Sequence, residues 1–228
     1  MMRRNIALIP AAGVGARFGA GKPKQYVEIN GKTVLQHTIE IFEQHSRIDL
    51  IAVILSPEDS VFQTALSEKV RVFRVGGASR AETVRNGVSV LLEQGLAKAQ
   101  DNILVHDAAR CCLPAEALTR LLYEAGKNDE GGILAIPVAD TLKRSDGSHH
   151  IDETVARAGL WQAQTPQLFQ TALLNRALSV DDLSEITDEA SAVEKLGIRP
   201  RLVQGDTRNL KLTLPQDEYI VRLLLKAV

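Results

Sequence analysis

A glycine-rich segment, Pro10-Ala-Ala-Gly-Val-Gly-Ala-Arg17, follows the first apolar run of the chain, and Pro23-Lys24-Gln25 comes shortly after it. Small residues let a backbone approach a chain of phosphates closely and point its N–H groups at the phosphate oxygens. Arg17 and Lys24 add two positive charges beside that backbone. The segment therefore predicts a phosphate-binding loop, and the alternative is an ordinary flexible loop with two solvated cations.

Two widespread types of glycine loop do not fit this segment. A Walker A loop requires Gly at position 16 and Ser or Thr after Lys22, whereas the chain has Ala16 and Pro23. A dinucleotide fingerprint requires a third glycine at position 18, which is Phe18. These mismatches disfavour a nicotinamide-dependent oxidoreductase, which we keep as an alternative of a different functional class.

The elements that must position this loop are short apolar runs alternating with amphipathic stretches. The runs are Ile6 to Ile9, Leu50 to Leu55, Val70 to Val75, Ile103 to His106, Ile133 to Val138 and Arg201 to Val203. Continuous apolarity is typical of strands that are covered on both faces. The repeated strand-then-helix order predicts an α/β fold of three layers around a mostly parallel, Rossmann-like doubly wound sheet. Such folds bind ligands beyond the carboxyl ends of their strands, where the glycine-rich segment lies.

Several residue patterns predict where helices begin. Thr33 and Gln36 have the spacing of a capping box, and a second helix is expected to open near Arg80. Thr187 is predicted to cap a helix with an acidic first turn. Pro215, at a first-turn position, predicts the start of the final helix.

The segment from Leu142 to Glu153 is polar and interrupts the alternation, with Asp146-Gly147 as its expected hairpin turn. Such a segment contributes little to a core, so we predict a projecting β-arm at about residues 140–157 that packs on a partner subunit or covers a site. The sequence contains no internal repeat and no low-complexity linker. We therefore expect residues 1–228 to form a single domain.

Composition excludes several classes of protein. With 45% hydrophobic residues, the chain is too apolar to be disordered, and its net charge of −1 argues against nucleic acid as a partner. Cys111 and Cys112 are adjacent, which rules out a long-range disulfide between them and a metal-ligand spacing, and favours a reducing, cytoplasmic compartment. The first apolar run ends at Pro10, too early for a membrane span or a secretory signal, so no membrane association is expected.

Six further blocks, together with the glycine-rich segment, resemble those of a known enzyme family and occur in the same order. The blocks are Gly76 to Val84, Val105 to Arg110, Asp140 to Arg144, Gly159 to Gln167, Thr187 to Ser191 and Asn209 to Lys211. Each block alone is weak, but the ordered set covers nearly the whole chain and is specific. By this set the chain resembles the 2-C-methyl-D-erythritol 4-phosphate cytidylyltransferase family, within the polyol- and sugar-phosphate nucleotidyltransferases.

The resemblance implies an enzyme that joins CTP and 2-C-methyl-D-erythritol 4-phosphate to give 4-diphosphocytidyl-2-C-methyl-D-erythritol and pyrophosphate, in non-mevalonate isoprenoid biosynthesis. In this reaction a phosphate oxygen attacks the α-phosphorus, so negative charge accumulates at one centre and the catalyst needs mainly cations and positioning. Arg17 and Lys24 are then the predicted catalytic residues. The predicted CTP-binding residues are Pro10, Ala11, Ala12, Gly13, Gly15, Gly76, Gly77, Arg80, Thr83, Asp107 and Ala108.

Within this resemblance, Gly76 and Gly77 let the backbone lie against the cytosine; the alternative is a plain turn before a helix. Asp107 follows the fourth predicted strand, where a carboxylate can orient Mg²⁺ through water, together with the triphosphate, or bind substrate hydroxyls. Asp107 could instead cap the next helix or pair with Arg110. His106 is predicted to pack at the strand end, because a phosphate nucleophile needs no general base.

The resemblance also implies a pocket for the polyol phosphate and a homodimer formed through the β-arm. Its predicted substrate-binding residues are Asp107, Arg110, Thr141, Arg157, Thr165 and Lys211. Thr141 and Arg157 belong to the arm segment and are expected to complete the site of the partner subunit.

Two residues depart from the family pattern. Ala78 stands where relatives often have an acidic residue after Gly-Gly, so recognition of the cytosine is expected to rest on backbone groups. Cys111 stands where proline is usual, which affects the loop but removes no predicted phosphate ligand. A ribitol 5-phosphate cytidylyltransferase and a non-catalytic nucleotide-binding protein are kept as alternatives.

Overall fold

The computed structural model describes residues 3–13, 23–64 and 67–226. The strands of this part of the chain are β1 (Asn5–Pro10), β2 (Glu28–Ile29), β3 (Lys32–Thr33), β4 (Leu50–Ile54), β5 (Val70–Phe73), β6 (Asn102–Val105), β7 (Gly132–Pro137), β8 (Leu142–Ser145), β9 (Ile151–Val155), β10 (Trp161–Gln170) and β11 (Arg201–Gln204). Its helices are α1 (Val34–Gln44), α2 (Arg80–Glu93), α3 (Ala115–Glu124), α4 (Thr171–Leu178), α5 (Glu189–Glu194) and α6 (Asp217–Leu224), with a short 3-10 helix at Lys24–Tyr26.

The main sheet has seven strands within the described residues, in the order β11-β7-β10-β6-β1-β4-β5. Strand β1 lies between β6 and β4 and is parallel to both. The pairs β4–β5 and β7–β11 are also parallel. The predicted α/β class and mostly parallel sheet are confirmed.

Strand β10 is the exception, and the sequence did not indicate it. It runs antiparallel to both β6 and β7, and its register with β7 shifts between Ala163 and Gln167. Pro166 lies inside this interval, and proline removes a hydrogen-bond donor from a sheet ladder. The Gln-rich and Pro-interrupted pattern of these ten residues gave no signal of a strand, and the irregular centre of β10 lies next to the end of β6.

Helices cover both faces of the sheet, as the continuous apolarity of the strands requires. In β1, Ala7 and Ile9 face the core that contains α1 and α3. Ile6 and Leu8 face the opposite core, which contains α2 and α4. All four side chains are fully buried. The parallel pairing of β1 with β4 and β6 sets the edge of the sheet at which β1 ends, and hence where the glycine-rich segment begins.

The helix starts agree with prediction at two places and differ at two others. Thr33 and Gln36 form the predicted capping box of α1, and α2 begins at Arg80 after the N-cap Ser79. The prediction that Thr187 caps a helix is wrong. Asp188 is the N-cap of α5, because its carboxylate accepts the backbone N–H of Ser191 at 2.8 Å. The final helix, α6, begins two residues later than the Pro215 pattern suggested, at Asp217.

Strands β8 and β9 form a separate antiparallel hairpin, within the predicted arm segment. Nearly all of its side chains are exposed, including that of Ile151. The hairpin therefore projects from the layers that carry the core. No helix in the described part of the chain is long and apolar enough to cross a bilayer.

Candidate active site

A cleft of about 400 Å³ opens beyond the carboxyl ends of β1, β4 and β6. The described residues lining it are Pro10, Ala11, Ala12, Gly13, Lys24, Gln25, Ser56, Gly77, Ala78, Ser79, Arg80, Thr83, Asp107, Ala108, Ala109 and Lys211. This set contains most of the residues predicted to bind CTP. It adds Gln25, Ser79 and Ala109, which lie within the quoted sequence blocks but had no predicted role, and Ser56, which lies in none of them.

The glycine-rich side of the cleft is held by main-chain and amide contacts. The N–H of Ala11 donates to the carbonyl of Ile54 at 2.8 Å. The buried Gln25 side chain donates to the carbonyls of Ala11 at 3.0 Å and Gly13 at 2.9 Å. These contacts fix the start of the predicted phosphate loop. Gly15 and Arg17 lie outside the described residues, so their predicted roles stay predictions.

Lys24 lines the cleft from the short 3-10 helix that follows the loop. The next two residues of this helix, Gln25 and Tyr26, are both buried and anchor it. The hydroxyl of Tyr26 donates to the carboxylate of Asp59 at 2.5 Å. An ammonium group on so fixed a backbone is well placed to meet a phosphate in the cleft.

The loop after β5 forms the opposite wall. A Cβ on Gly76 would overlap the Cβ of Ala12 and the carbonyl of Leu55, so only glycine lets this loop touch the glycine-rich segment. The N–H of Gly77 donates to the hydroxyl of Thr83 at 3.1 Å. The N–H of Ala78 donates to the carboxylate of Glu82 at 2.8 Å. Gly76 thus supports the wall from behind, while Gly77 and Ala78 face the cleft.

Asp107 lies at the bottom of the cleft, directly after β6, and three cations of the described chain share its carboxylate. Arg80 Nε is 2.9 Å from Oδ1, while Lys211 Nζ is 2.8 Å and Arg110 Nε 3.5 Å from Oδ2. Burial alone would raise the pKa of this carboxyl, but the charges of Arg80 and Lys211 outweigh that effect and hold the pKa far below its usual range. Asp107 therefore lines the cleft and also pairs with Arg110, while its predicted contacts with hydrated Mg²⁺ or substrate hydroxyls stay predictions.

Arg80 carries a second ion pair that the sequence did not indicate. Its Nη1 and Nη2 donate to the two carboxylate oxygens of Glu189 at 2.7 and 3.1 Å. Glu189 is the first residue of α5 and its side chain is 1% exposed. In the sequence it is simply part of an acidic first turn. An acidic residue in the first turn of a short helix is usually exposed, so the sequence gives no signal that Glu189 is buried.

The residues behind Asp107 hold its backbone. The hydroxyl of Thr165 accepts the N–H of Asp107 at 3.1 Å and lies 3.1 Å from His106 Nδ1. His106 Nε2 lies 2.9 Å from the carbonyl of Arg110. The ring of His106 is fully buried and packs edge-on against Phe42. His106 is thus a packing residue, as predicted.

The structure brings only some of the predicted polyol-phosphate residues to the cleft. Lys211 lines the cleft, whereas Arg110 lies beside Asp107 and donates to the carbonyl of Asn209 at 2.6 Å. Thr141 and Arg157, at the two ends of the arm, are exposed and do not line this cleft. Their predicted part in the site of a partner subunit stays a prediction.

The described residues do not fit a direct Mg²⁺–Asp107 bond. Both carboxylate oxygens of Asp107 are held at 2.8–2.9 Å by Arg80 and Lys211. Across the described ranges, no three His, Cys, Asp or Glu side chains are grouped so that they would hold a metal ion. Mg²⁺ usually keeps several waters and is held largely by substrate phosphates, so any ion here is expected to arrive with the triphosphate.

The model of the family described as "IspD: 2-C-methyl-D-erythritol 4-phosphate cytidylyltransferase" matches residues 5–227. The chain belongs to this family. A 2-C-methyl-D-erythritol 4-phosphate cytidylyltransferase from Neisseria meningitidis serogroup C is 70% identical over the full length of both chains. A cytidylyltransferase of the same name from Chromobacterium violaceum is 49% identical, over 97% of this chain and 98% of its own.

Solved structures of the IspD family have the same fold. The crystal structure of a 4-diphosphocytidyl-2C-methyl-D-erythritol synthase is 62% identical, covers 99% of both chains and has a TM-score of 0.87. The cytidylyltransferase from Thermus thermophilus is 28% identical, with a TM-score of 0.79, over 99% of this chain and 100% of its own. The resemblance inferred from the ordered sequence blocks is confirmed.

The buried imidazole of His106 makes the stability of the fold sensitive to mild acid. Burial lowers the pKa of His106 to about 4. In the unfolded chain, His106 has its ordinary pKa near 6.5 and binds a proton that the folded chain does not bind until the pH nears 4. The free energy of unfolding therefore decreases as the pH falls from about 6.5 towards 4. We expect the free energy of unfolding in urea to fall by roughly 3 kcal/mol over this range through His106.

The variant His106→Gln tests this assignment, because glutamine retains hydrogen-bonding groups but does not titrate. It should flatten the pH dependence, whereas His149→Gln in the exposed arm should keep the slope of the parent. Asp107 affects the free energy of unfolding only in a lower pH range, around and below the ordinary pKa of an aspartate. An unchanged slope in His106→Gln would contradict the prediction.

Proposed function

We propose that the cleft transfers a cytidylyl group from CTP to 2-C-methyl-D-erythritol 4-phosphate. An oxygen of the polyol phosphate attacks the α-phosphorus of CTP, the bond from that phosphorus to the bridging oxygen of the β-phosphate breaks, and pyrophosphate leaves with the bond electrons. The family match over residues 5–227 carries this proposal. The cleft supports it, because the cleft joins a glycine-rich backbone to several cations at the end of a parallel sheet.

The cations have distinct proposed tasks. Lys24 stabilises the charge that develops on the α-phosphate, together with Arg17. Lys211 lies across the cleft at Asp107 and binds the polyol phosphate. His106 is neutral at pH 7 and fully buried, so it takes no proton from the nucleophile. No such transfer is needed, since the attacking phosphate is already an anion. Catalysis then rests on charge and positioning.

The cytosine is proposed to lie against Gly77 and Ala78. The N–H groups of both residues are already held, by Thr83 and Glu82. The carbonyl groups of this loop are therefore the proposed acceptors for the exocyclic amino group of cytosine. Such recognition disfavours uracil, which has a carbonyl at that position.

Three further features of the enzyme are proposals. Mg²⁺ is proposed to enter with the triphosphate, hydrated and without a direct bond to Asp107, as the engaged carboxylate oxygens suggest. A single nucleotidyltransferase domain is proposed for the chain. A cytoplasmic location is proposed because Cys111 and Cys112 are buried free thiols.

The substrate assignment is tested by pyrophosphate release from the purified protein with CTP and a divalent cation. Turnover is expected with 2-C-methyl-D-erythritol 4-phosphate and little with ribitol 5-phosphate. A preference for ribitol 5-phosphate would replace the proposed substrate, and no release with either polyol phosphate would reject the proposed reaction.

The role of Lys24 is tested by Lys24→Ala. Loss of one preorganised donor to a transition-state charge should lower kcat by on the order of 10²–10³, or about 2.7–4 kcal/mol. Lys32→Ala is the matched control, because Lys32 pairs with Glu40 away from the cleft and should keep the parental kcat. A raised KM for CTP with unchanged kcat would mean that Lys24 binds only the ground state.

A homodimer through the β-arm is proposed because Thr141 and Arg157 do not line the cleft of their own chain. Lys24→Ala and Arg157→Ala subunits, each nearly inactive alone, should regain activity when mixed. In a heterodimer one of the two shared sites has both residues intact, so random mixing should restore about a quarter of the parental activity. Absence of recovery in verified heterodimers would contradict sharing of the site.

A further inference from the structure

We infer that Glu189 is a positioning residue for CTP binding, acting through Arg80 on Asp107. The inference rests on the proposed function, since it assigns a further residue to the same cleft. Glu189 is 109 positions from Arg80 in the chain and does not line the cleft itself. Its effect on the nucleotide must therefore pass through the guanidinium that it holds.

The guanidinium of Arg80 is divided between two carboxylates. Nη1 and Nη2 form a forked pair with both oxygens of Glu189, and Nε donates to Oδ1 of Asp107 at 2.9 Å. These three bonds fix the plane of the group as well as its place. Lysine, with one nitrogen, offers no such fork. Arg80 lines the cleft, so the fixed plane of its guanidinium sets how that group is presented to a bound nucleotide.

Glu189 can hold Arg80 firmly because its own backbone is clamped. The buried amide of Gln167, on β10, donates to the carboxylate of Asp188 at 2.8 Å. The oxygen of the same amide accepts the N–H of Ala190 at 2.8 Å. The two neighbours of Glu189 are thus tied to the main sheet, next to the end of β6 that carries Asp107.

The charges explain why a second carboxylate is needed. Arg80, Arg110 and Lys211 all lie against Asp107, which has two oxygens to offer. Glu189 takes two donors of Arg80, so that Oδ2 of Asp107 is left to Lys211 and Arg110. Among the described side chains of this cluster, three cations then face two carboxylates, which leaves one net positive charge. Without Glu189, three cations would face the single carboxylate of Asp107.

A purely structural role accounts poorly for this arrangement. Buried ion pairs are often no more stabilising than apolar residues of the same volume, because both ions lose their hydration. Glu189 is fully buried, and burial raises the pKa of its carboxyl in spite of Arg80. A costly buried charge whose partner lines the cleft is better explained by its effect on the ligand.

The test compares Glu189→Gln, Arg80→Lys and the double variant in the full-length protein. Glutamine keeps the shape of Glu189 but loses the charge and one acceptor, and lysine keeps the charge of Arg80 but loses the fork. CTP affinity is measured by calorimetry without polyol phosphate, and kcat and KM by pyrophosphate release. Each single variant should weaken CTP binding about tenfold, and the double variant should be no weaker than the worse single variant, since coupled residues are not additive.

Glu194→Gln is the matched control, because Glu194 is an exposed glutamate on the same helix and should keep the parental CTP affinity. Parental CTP affinity in Glu189→Gln, or losses that add in the double variant, would overturn the inference. If Glu189→Gln does not fold, Glu189→Asp decides, since it keeps the charge but shortens its reach to Arg80, and parental CTP affinity in Glu189→Asp would overturn the inference. Loss of thermal stability with unchanged CTP affinity would also overturn it. Absence of turnover in the parent, with CTP still bound, would count against the proposed reaction and not against this role.

Discussion

The site depends on one buried carboxylate, that of Asp107, and on the cations gathered around it. A charge at this depth is tolerated only when it is paired and hydrogen-bonded. Arg80, Lys211 and Arg110 supply the pairing, and each comes from a different part of the chain. At the bottom of the cleft, Asp107 therefore joins the helix after β5 and the segment after β11 to its own loop after β6.

The sheet order makes this convergence possible. Because β1 lies between β4 and β6, the glycine-rich segment emerges beside the loop that carries Asp107. Gly76 then brings the loop after β5 into contact with Ala12, where any side chain would overlap. The antiparallel β10 brings Thr165 and Gln167 to the other side of β6. The first supports the backbone of Asp107, and the second fixes the helix that begins with Glu189.

The elements that could be predicted are those with a local pattern in the sequence. The apolar runs predicted the parallel strands, the Thr33 capping box predicted α1, and the glycine-rich segment predicted one side of the cleft. The parts that depend on tertiary pairing left no such pattern. Strand β10 is interrupted by Pro166, and Glu189 resembles any acidic residue at a helix start. The wrong assignment of the cap to Thr187 has the same cause, because either residue can cap and only the folded contacts decide.

The state of charge of Asp107 is the most direct measure of whether cations organise this site. The carboxyl carbon of Asp107, labelled with ¹³C, can be followed by NMR as the folded protein is acidified. We predict that this carboxyl stays ionised until the protein unfolds, because the surrounding cations hold its pKa far below the usual range. Titration of Asp107 in the folded protein at or above the ordinary pKa of an aspartate would show that the cations are not gathered around it, and would contradict the central role given to this carboxylate.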